Sequence, residues 1–450
     1  MKKNIRWVIM LALCIVFTLL FSVSKAATYS WSETKVYPNA RAENLTEGST
    51  ALDLDGSGNT HLAFIDDSTD VDGRTGVFYS YEVGSGGDCD NLYTGGSDAY
   101  ECALIDSTAV NGDALERSLD FKLTSTDKPR IVWKGGVSGN DLYYGSCDTS
   151  CGNPANWTTT QIDSTITQGQ LALDSLNNPS VVYMTGGDLF LAEYVGGGLG
   201  SGCDSSNWTC TAIESTDTLT GNPDITFNSS NQEVVIFGNS TDTDVIYAVR
   251  TAGSGCSNSN WTCAVIDSAS TTFGASIVLD SDKPRVAYSK SNKAYYSSCD
   301  ANCTTGTNWT TPEAVFSNPD IPAIGIDTST NTPFITAGRE IDDVMGEQTM
   351  AERIGTGGDC SDTNYGGTAA WECHDVTFNG SDFGHGHSSI HLSSPIISFG
   401  TGGGAFVLEG TEDEESQIPE LPSSNLWKVL IAVLALGLVV GIVTFLKKKK

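Results

Sequence analysis

Along most of this chain, short runs of alternating apolar and polar residues are broken every few positions by Gly, Asn, Asp or Pro. Residues 180–184 and 189–195 are such runs, rich in Val, Leu and aromatic side chains, with Gly186-Gly187 between them. Alternation with β-branched content marks half-buried strands, and a convincing 3.6-residue periodicity is missing, so helix is expected to be nearly absent before residue 426.

The runs repeat. One unit, with a period of roughly 50 residues, contains an apolar strand, a turn, a second strand, a loop, an aromatic strand, a cysteine-bearing loop and an Asn-Trp-Thr strand. First strands begin near Leu52, Leu119, Leu171, Ile225, Ile277, Ile324 and Ile390, and second strands follow at residues 61–66, 130–134, 180–184, 233–238, 285–289, 333–338 and 395–400. Fourth strands run through Tyr100, Trp157, Trp208, Trp261, Trp309 and Trp371, whereas the last copy ends after its third strand, residues 405–410. Residues 29–37, ahead of the first copy, have the missing strand's pattern of an aromatic followed by a Val-containing run. The expected fold class is therefore all-β: a seven-bladed β-propeller of four-stranded antiparallel blades, closed by an N-terminal strand, plus one C-terminal transmembrane helix. The aromatic ring of each fourth strand, together with Trp133, is expected to wedge between adjacent blades and hold them apart.

The two ends set the expected compartment. Lys2, Lys3 and Arg6, the apolar stretch 7–23 and the Ser24-Lys25-Ala26 cleavage site read as a signal peptide over 1–26. The propeller ectodomain spans 27–410 and an acidic, Pro-containing linker 411–425. The apolar segment 426–446 is long enough to cross a bilayer, and the basic tail 447–450 is expected to stay cytoplasmic, leaving a single-pass protein with its ectodomain outside. Residues 418–425 resemble prokaryotic C-terminal sorting signals, although Leu421 to Asn425 departs from Leu-Pro-x-Thr-Gly at its last two positions. Residues 27–425 hold all 55 acidic residues and 15 of the 24 basic ones, a net charge of −40. That field disfavours nucleic acid and anionic membrane, and leaves cations, basic surfaces and neutral glycans as partners.

Twelve cysteines remain once Cys14 leaves with the leader, and they fall as six near pairs: Cys89 and Cys102, Cys147 and Cys151, Cys203 and Cys210, Cys256 and Cys263, Cys299 and Cys303, Cys360 and Cys373. Each lies in the connection between third and fourth strands or just inside the fourth. Where Thr159 and Thr311 follow Asn-Trp-Thr in place of cysteine, a partner stands four residues after the first cysteine, so pairing survives a change of geometry. In an exported chain this predicts one disulfide for each of six blades and no metal cluster.

Four of the five histidines fall within residues 374–391. His385, His387 and His391 surround the entry to the seventh blade, a face they are expected to share with Asp66, Asp67, Asp70 and Asp72 of the first and Asp342, Asp343 and Glu347 of the sixth. Imidazole and carboxylate together suit a divalent cation, calcium or zinc, or a cationic ligand; solvated acidic loops are the plainer alternative. Asp53-x-Asp55-Gly56-Ser57-Gly58-Asn59 resembles the oxygen-rich calcium loops of integrin-type propellers. Nine Asn-x-Ser/Thr sequons occur, at Asn44, Asn156, Asn207, Asn228, Asn239, Asn260, Asn302, Asn308 and Asn379.

The recurring Asp-x-x-x-x-Pro-x-Val-x-Tyr units, as in residues 174–183 and the shorter 280–288, together with the tryptophan strands, resemble the BNR/sialidase-like propeller repeats of prokaryotic surface proteins. The resemblance spans nearly the whole ectodomain and implies the fold, not the activity. The arginine triad, the Tyr/Glu nucleophile pair and the Ser-x-Asp-x-Gly-x-x-Trp boxes of sialidases are not recognisable, and neither is Gly-x-Ser-x-Gly, His-Glu-x-x-His or a phosphate loop. The expectation is an extracellular recognition or adhesion protein that binds a glycan or protein through its top face and contacts the membrane only through its C-terminal helix. A glycan-cleaving hydrolase using the top-face carboxylates and a structural coat protein are the alternatives.

Overall fold

The computed structural model describes residues 29–38, 50–66, 76–89, 96–107, 119–135, 140–268, 272–319, 321–327, 329–342, 345–376, 389–392, 395–401 and 404–412. Strand β1 (Tyr29–Pro38) comes first, and the rest follow as antiparallel groups. These are β2 to β5 (Thr50–Leu54, Thr60–Asp66, Gly76–Glu82, Tyr100–Asp106) and β6 to β9 (Leu119–Leu123, Pro129–Gly135, Asp141–Ser146, Thr158–Asp163). Next are β10 to β13 (Ile166–Leu173, Pro179–Thr185, Asp188–Tyr194, Trp208–Glu214) and β14 to β17 (Leu219–Phe227, Glu233–Asn239, Asp244–Val249, Thr262–Ser268). Then come β18 to β21 (Thr272–Asp280, Lys283–Lys290, Lys293–Ser298, Glu313–Ser317), β22 to β25 (Ala323–Asp327, Thr332–Asp342, Met345–Arg353, Trp371–Val376) and β26 to β28 (Ser389–Leu392, Pro395–Thr401, Gly404–Glu412). Among the described residues, helix is limited to three single 3-10 turns.

Five groups form separate four-stranded sheets, and β1 completes the one ordered β1-β28-β27-β26. The eight strands β14 to β21 form one sheet because β14 and β18 meet through a single parallel pair, Asn222 with Gly274. The first strands lie side by side in the order β2, β6, β10, β14, β18, β22, β26, and β26 returns to β2. A closed ring of radially arranged antiparallel sheets is a β-propeller.

The core sits between neighbouring groups. Trp208 packs with Val132 and Leu142 of the preceding group and Leu171 and Val181 of its own, and Trp261 joins Val182 and Leu191 to Val235 and Phe237. Val36 of β1, Ile396 and Val407 meet Leu52, Phe64 and Phe78, so the N-terminal strand packs through Val36 against the first full group as well as pairing with the last strand. The wedge expected of the tryptophans is what these clusters form. Gly145 shows how tight they are: a Cβ there would stand 2.9 Å from the Trp133 ring.

Two sets of side-chain bonds tie neighbours together. Near the axis, Asp53 accepts the backbone N–H of Leu123, Asp120 that of Leu171 and Asp224 that of Ile277, each at 2.8 to 2.9 Å and each on the next first strand. At the first hairpins, Asp127 accepts from Gly56, Asn177 from Ser125, Asn231 from Ser175 and Asp282 from Ser229, each reaching back one group. Asn177 and Asn231 have φ of 66° and 60°. Asn and Asp tolerate that left-handed region better than most residues, and the short side chain is then free to bond to the neighbouring turn.

All six expected disulfides are present, each local to one group. In the two Cys-x3-Cys groups the fourth strand starts later than expected, at Thr158 and Glu313, because a 3-10 turn precedes it. Trp157 and Trp309 close those turns, donating their indole N–H to Cys151 O and Cys303 O at 2.9 Å.

Residues Trp31–Thr411 form one compact unit; the other unit, Met1–Ser30 with Glu412–Lys450, adds only Tyr29, Ser30 and Glu412 to the described residues. Among the described residues no helix is long and apolar enough to cross a membrane. The expected leader and the segment 426–446 lie outside them.

Candidate functional site

Most of the residues expected to form a top-face site lie outside the described set: Asp67, Asp70, Asp72, Asp343, His385 and His387. For Asp66, Asp342, Glu347 and His391 the backbone alone is described. Asp66 pairs with Gly76 and Asp342 with Met345, so these two sit at equivalent ends of the hairpins joining second to third strands. Glu347 pairs with Arg339, and His391 with Ile396.

The calcium-like loop is a structural turn. Asp55 Oδ1 accepts the backbone N–H of Ser57 and Asn59, and Oδ2 accepts the Asn59 amide, all at 2.8 Å. Both Asp53 oxygens accept backbone N–H groups, from Leu54 and Leu123. Asp174 repeats the arrangement with Leu176 and Asn178. The alternating-donor pattern is thus the repeat's own first hairpin, in which the carboxylates are turned onto the chain. Burial alone would raise the Asp55 carboxyl, but the bonds from Asn59 and Ser57 hold it below its ordinary value.

Among the described residues, cavities of two kinds open in the ring, one at its axis and one between blades. The axial one, about 240 Å³, is lined by first-strand residues that include Asp53, Asp120, Lys122, Gln170, Asn222 and Asp224. Lys122 Nζ lies 3.2 Å from Asp120. Burial pulls that amine down, but Asp120, Asp224 and Asp53 outweigh it and raise it. Burial likewise pushes the Asp224 carboxyl up to about 6 against the N–H of Ile277 and the charge of Lys122. Asn222 is buried here with neither amide atom bonded to protein, which calls for water or a ligand as its partner. The acidic side chains have the clasp role described above, so this cavity is mainly the seam of the ring.

The second cavity, about 500 Å³, is a cleft between the β10–β13 and β14–β17 groups. Its walls are the two first hairpins, with Asp174, Asn178, Asn231 and Gln232, and the ends of β12 and β16, with Glu193, Tyr194 and Arg250. It opens on the face that carries the disulfide loops, opposite the hairpins of Asp66 and Asp342. Arg250 crosses the cleft to hold Glu193 through both oxygens and also bonds Glu233 at 2.8 Å. Asp174 accepts from Asn178 and, at 3.4 Å, from Asn231 on the opposing turn. Tyr194 packs edge-on against buried Trp208, with centroids 5.3 Å apart, and is 44% exposed.

Among the described residues, six large apolar side chains stay exposed, and four of them (Leu176, Tyr194, Val195 and Leu199) belong to the β10–β13 group beside this cleft. The sequence reading missed the site. Its one available signal was an isolated arginine, Arg250, at the strand end where the preceding repeat has Tyr194.

No protein-family model matches the sequence, and no curated protein is significantly similar to it. Among solved structures, an α-L-arabinanase from Penicillium chrysogenum complexed with arabinobiose shares 8% identity over 86% of this chain and 98% of its own, with a TM-score of 0.42. The Dos1 propeller shares 8% over 84% and 95%, at 0.44. The SapL1 lectin in complex with α-methyl fucoside shares 11% over 66% and 94%, at 0.40. The likeness is one of fold, and the ring of first strands assigns this chain to the β-propellers on its own evidence.

Proposed function

We propose that this chain is a seven-bladed β-propeller displayed outside the cell, held by its C-terminal apolar segment, and that it recognises a ligand in the cleft between its third and fourth blades. The blade count takes the eight-stranded sheet as two blades joined at Asn222 and Gly274 and lets β1 complete the seventh. Display outside the cell fits six local disulfides and the net charge of −40 over residues 27–425.

The observation that carries recognition is the cleft itself: a polar pocket of ligand size whose lining includes Tyr194 and Val195, two of the six exposed large apolar side chains among the described residues. Binding is favoured over hydrolysis because the cleft's carboxylates are already engaged. Glycoside hydrolysis needs one free acid and one free base or nucleophile. Here Glu193 and Glu233 are held by Arg250, and Asp174 accepts from Leu176, Asn178 and Asn231.

The test is retention of the purified full chain on immobilised extracellular polysaccharide and protein coats, compared with Tyr194→Ala and a distant control, Val83→Ser. Retention lost only by Tyr194→Ala supports the reading. Equal retention of all three proteins, or release of cleaved sugar, sinks it.

A further inference from the structure

We infer that the cleft between the third and fourth blades is a subsite for a neutral saccharide and discriminates against acidic sugars and cationic peptides; this rests on the recognition reading above. The first argument is charge. Asp174, Glu193 and Glu233 face a single cation, Arg250, so the lining is net negative and a carboxylate on the ligand would be repelled.

A cationic group is drawn by that charge but gains less than the charge alone would give, because it meets no carboxylate without a partner. Glu193 holds Arg250 in a two-point bond, which is the stronger, geometrically fixed form of such pairs. Glu233 is largely buried and also bonded to Arg250. Burial raises the Glu233 carboxyl, and Glu193 adds to the rise, while Arg250 opposes it. Asp174 is wrapped by its own turn and by Asn231. A lysine or arginine would have to displace Arg250 from a formed pair.

Hydroxyl groups meet neither obstacle. A hydroxyl both donates and accepts, and a carboxylate has about four lone-pair positions; Glu193 and Glu233 have positions that Arg250 leaves open, whereas Asp174 already accepts four bonds. Arg250 has five N–H donors, of which three are used. Asn178, Asn231 and Gln232 add amide groups at fixed places, because each is already anchored by at least one hydrogen bond. A dense lattice of pre-oriented donors and acceptors of both kinds is what a polyol needs, and its geometry costs little to order on binding.

The apolar parts of the lining suit the rest of a sugar. Tyr194 is exposed but held in place by Trp208, and Phe227 and Pro179 line the same cavity. A fixed aromatic ring offers the C–H face of a pyranose a contact without the entropy loss of a flexible side chain. Leu176 lies at the tip of the turn whose ends, Asp174 and Asn178, line the cleft, and Val195 directly follows Tyr194. The equivalent strand-end arginine two blades on, Arg353, shows the alternative: it lies over the Tyr296 ring and is bonded to Glu313.

The experiment is a printed array of neutral hexose- and N-acetylhexosamine-terminated oligosaccharides beside their uronate- and sialate-terminated counterparts, with oligolysine as the cationic probe, read with purified full chain. Neutral oligosaccharides should bind; Tyr194→Ala should weaken that binding about tenfold or more, Tyr194→Phe by about threefold or less, and Val83→Ser not at all. An unchanged melting temperature in Tyr194→Phe keeps the comparison free of misfolding. Binding confined to acidic sugars or oligolysine overturns the inference. So does neutral-sugar binding that survives Tyr194→Ala. If Tyr194→Ala abolishes retention on a protein coat and no saccharide competes, recognition at the cleft stands and the saccharide assignment falls. If retention also survives Tyr194→Ala, both fall.

Discussion

Asp120 on β6 accepts the backbone N–H of Leu171 on β10 at 2.8 Å, so a carboxylate in one blade completes the hydrogen bonding of the next. Its other oxygen takes the N–H of Phe121, and Lys122 lies beside it. Because Leu171 is fully buried, removing the acceptor leaves a donor with no water to replace it. Asp120→Ala is expected to cost about 1 to 3 kcal/mol, seen as a lower denaturation midpoint with an unchanged slope. A loss within error would show that the bond is incidental to the ring.

The axial carboxylates also predict a pH dependence. Asp224 is pushed up to about 6 from an ordinary value of 3.8, so in that window the folded protein keeps a proton that the unfolded chain has released. Stability should therefore fall as pH rises from about 4 to about 6, by about 2 to 3 kcal/mol from this group alone. Thermal melts of Asp224→Asn should show a flatter profile across that window than the parent. Lys122→Met removes an opposing charge and should move the transition to higher pH; a parallel profile in all three proteins would argue against the assignment.

Trp208 stands between Tyr144 and Tyr194, with ring centroids at 5.2 and 5.3 Å. Trp208→Ala empties the seam between the second and third blades and should cost about 3 to 5 kcal/mol. Trp208→Phe should cost less but still loosen Tyr194, so ligand affinity is expected to fall while the fold persists. Calorimetric melting and ligand titration on the same sample separate the two effects.

The Cys203–Cys210 disulfide closes a short loop at the cleft-bearing face. Replacing both cysteines by serine should lower stability by about 2 kcal/mol, less than a long-range crosslink would, because little chain entropy is constrained. Partial reduction followed by mass mapping should recover six pairs, each within one blade. Any pair joining two blades would contradict the structure.

Asn177→Gly should cost less than Asn177→Ala, although both remove the same two bonds to Ser125. The reason is φ at 66°, which glycine adopts freely and alanine resists by about 1 kcal/mol. Urea titration of the two variants measures the difference directly; identical midpoints would show that the turn relaxes.

The sequence was most informative where the same strand pattern recurs from copy to copy. First strands at Leu171 or Ile225 are legible because each copy repeats the same apolar run before the same turn, and the cysteine pairs because their spacing is local. The fourth-strand starts shifted at Trp157 and Trp309 because a 3-10 turn, invisible in the apolar pattern, intervenes. The Asp53-to-Asn59 pattern misled for a physical reason: oxygen donors alternating about a glycine describe an Asx turn as well as a cation loop, and only the direction of the lone pairs distinguishes them. The cleft was hidden differently. Glu193 and Arg250 are 57 residues apart, and each alone is an ordinary charge at a strand end. What makes them a site is the blade boundary, which no single repeat contains.

Pairing of β1 with β28 sets an order of assembly. The first of the described strands is the last to find its neighbour, since β28 closes only after some 370 further residues have been made. Until then Val36 and its strand present an open edge, a template for the wrong partner as much as for the right one. Synthesis from the N-terminus thus leaves the ring as a clasp that snaps shut only once β28 is made, and a chain truncated anywhere before β28 leaves β1 without its pairing partner.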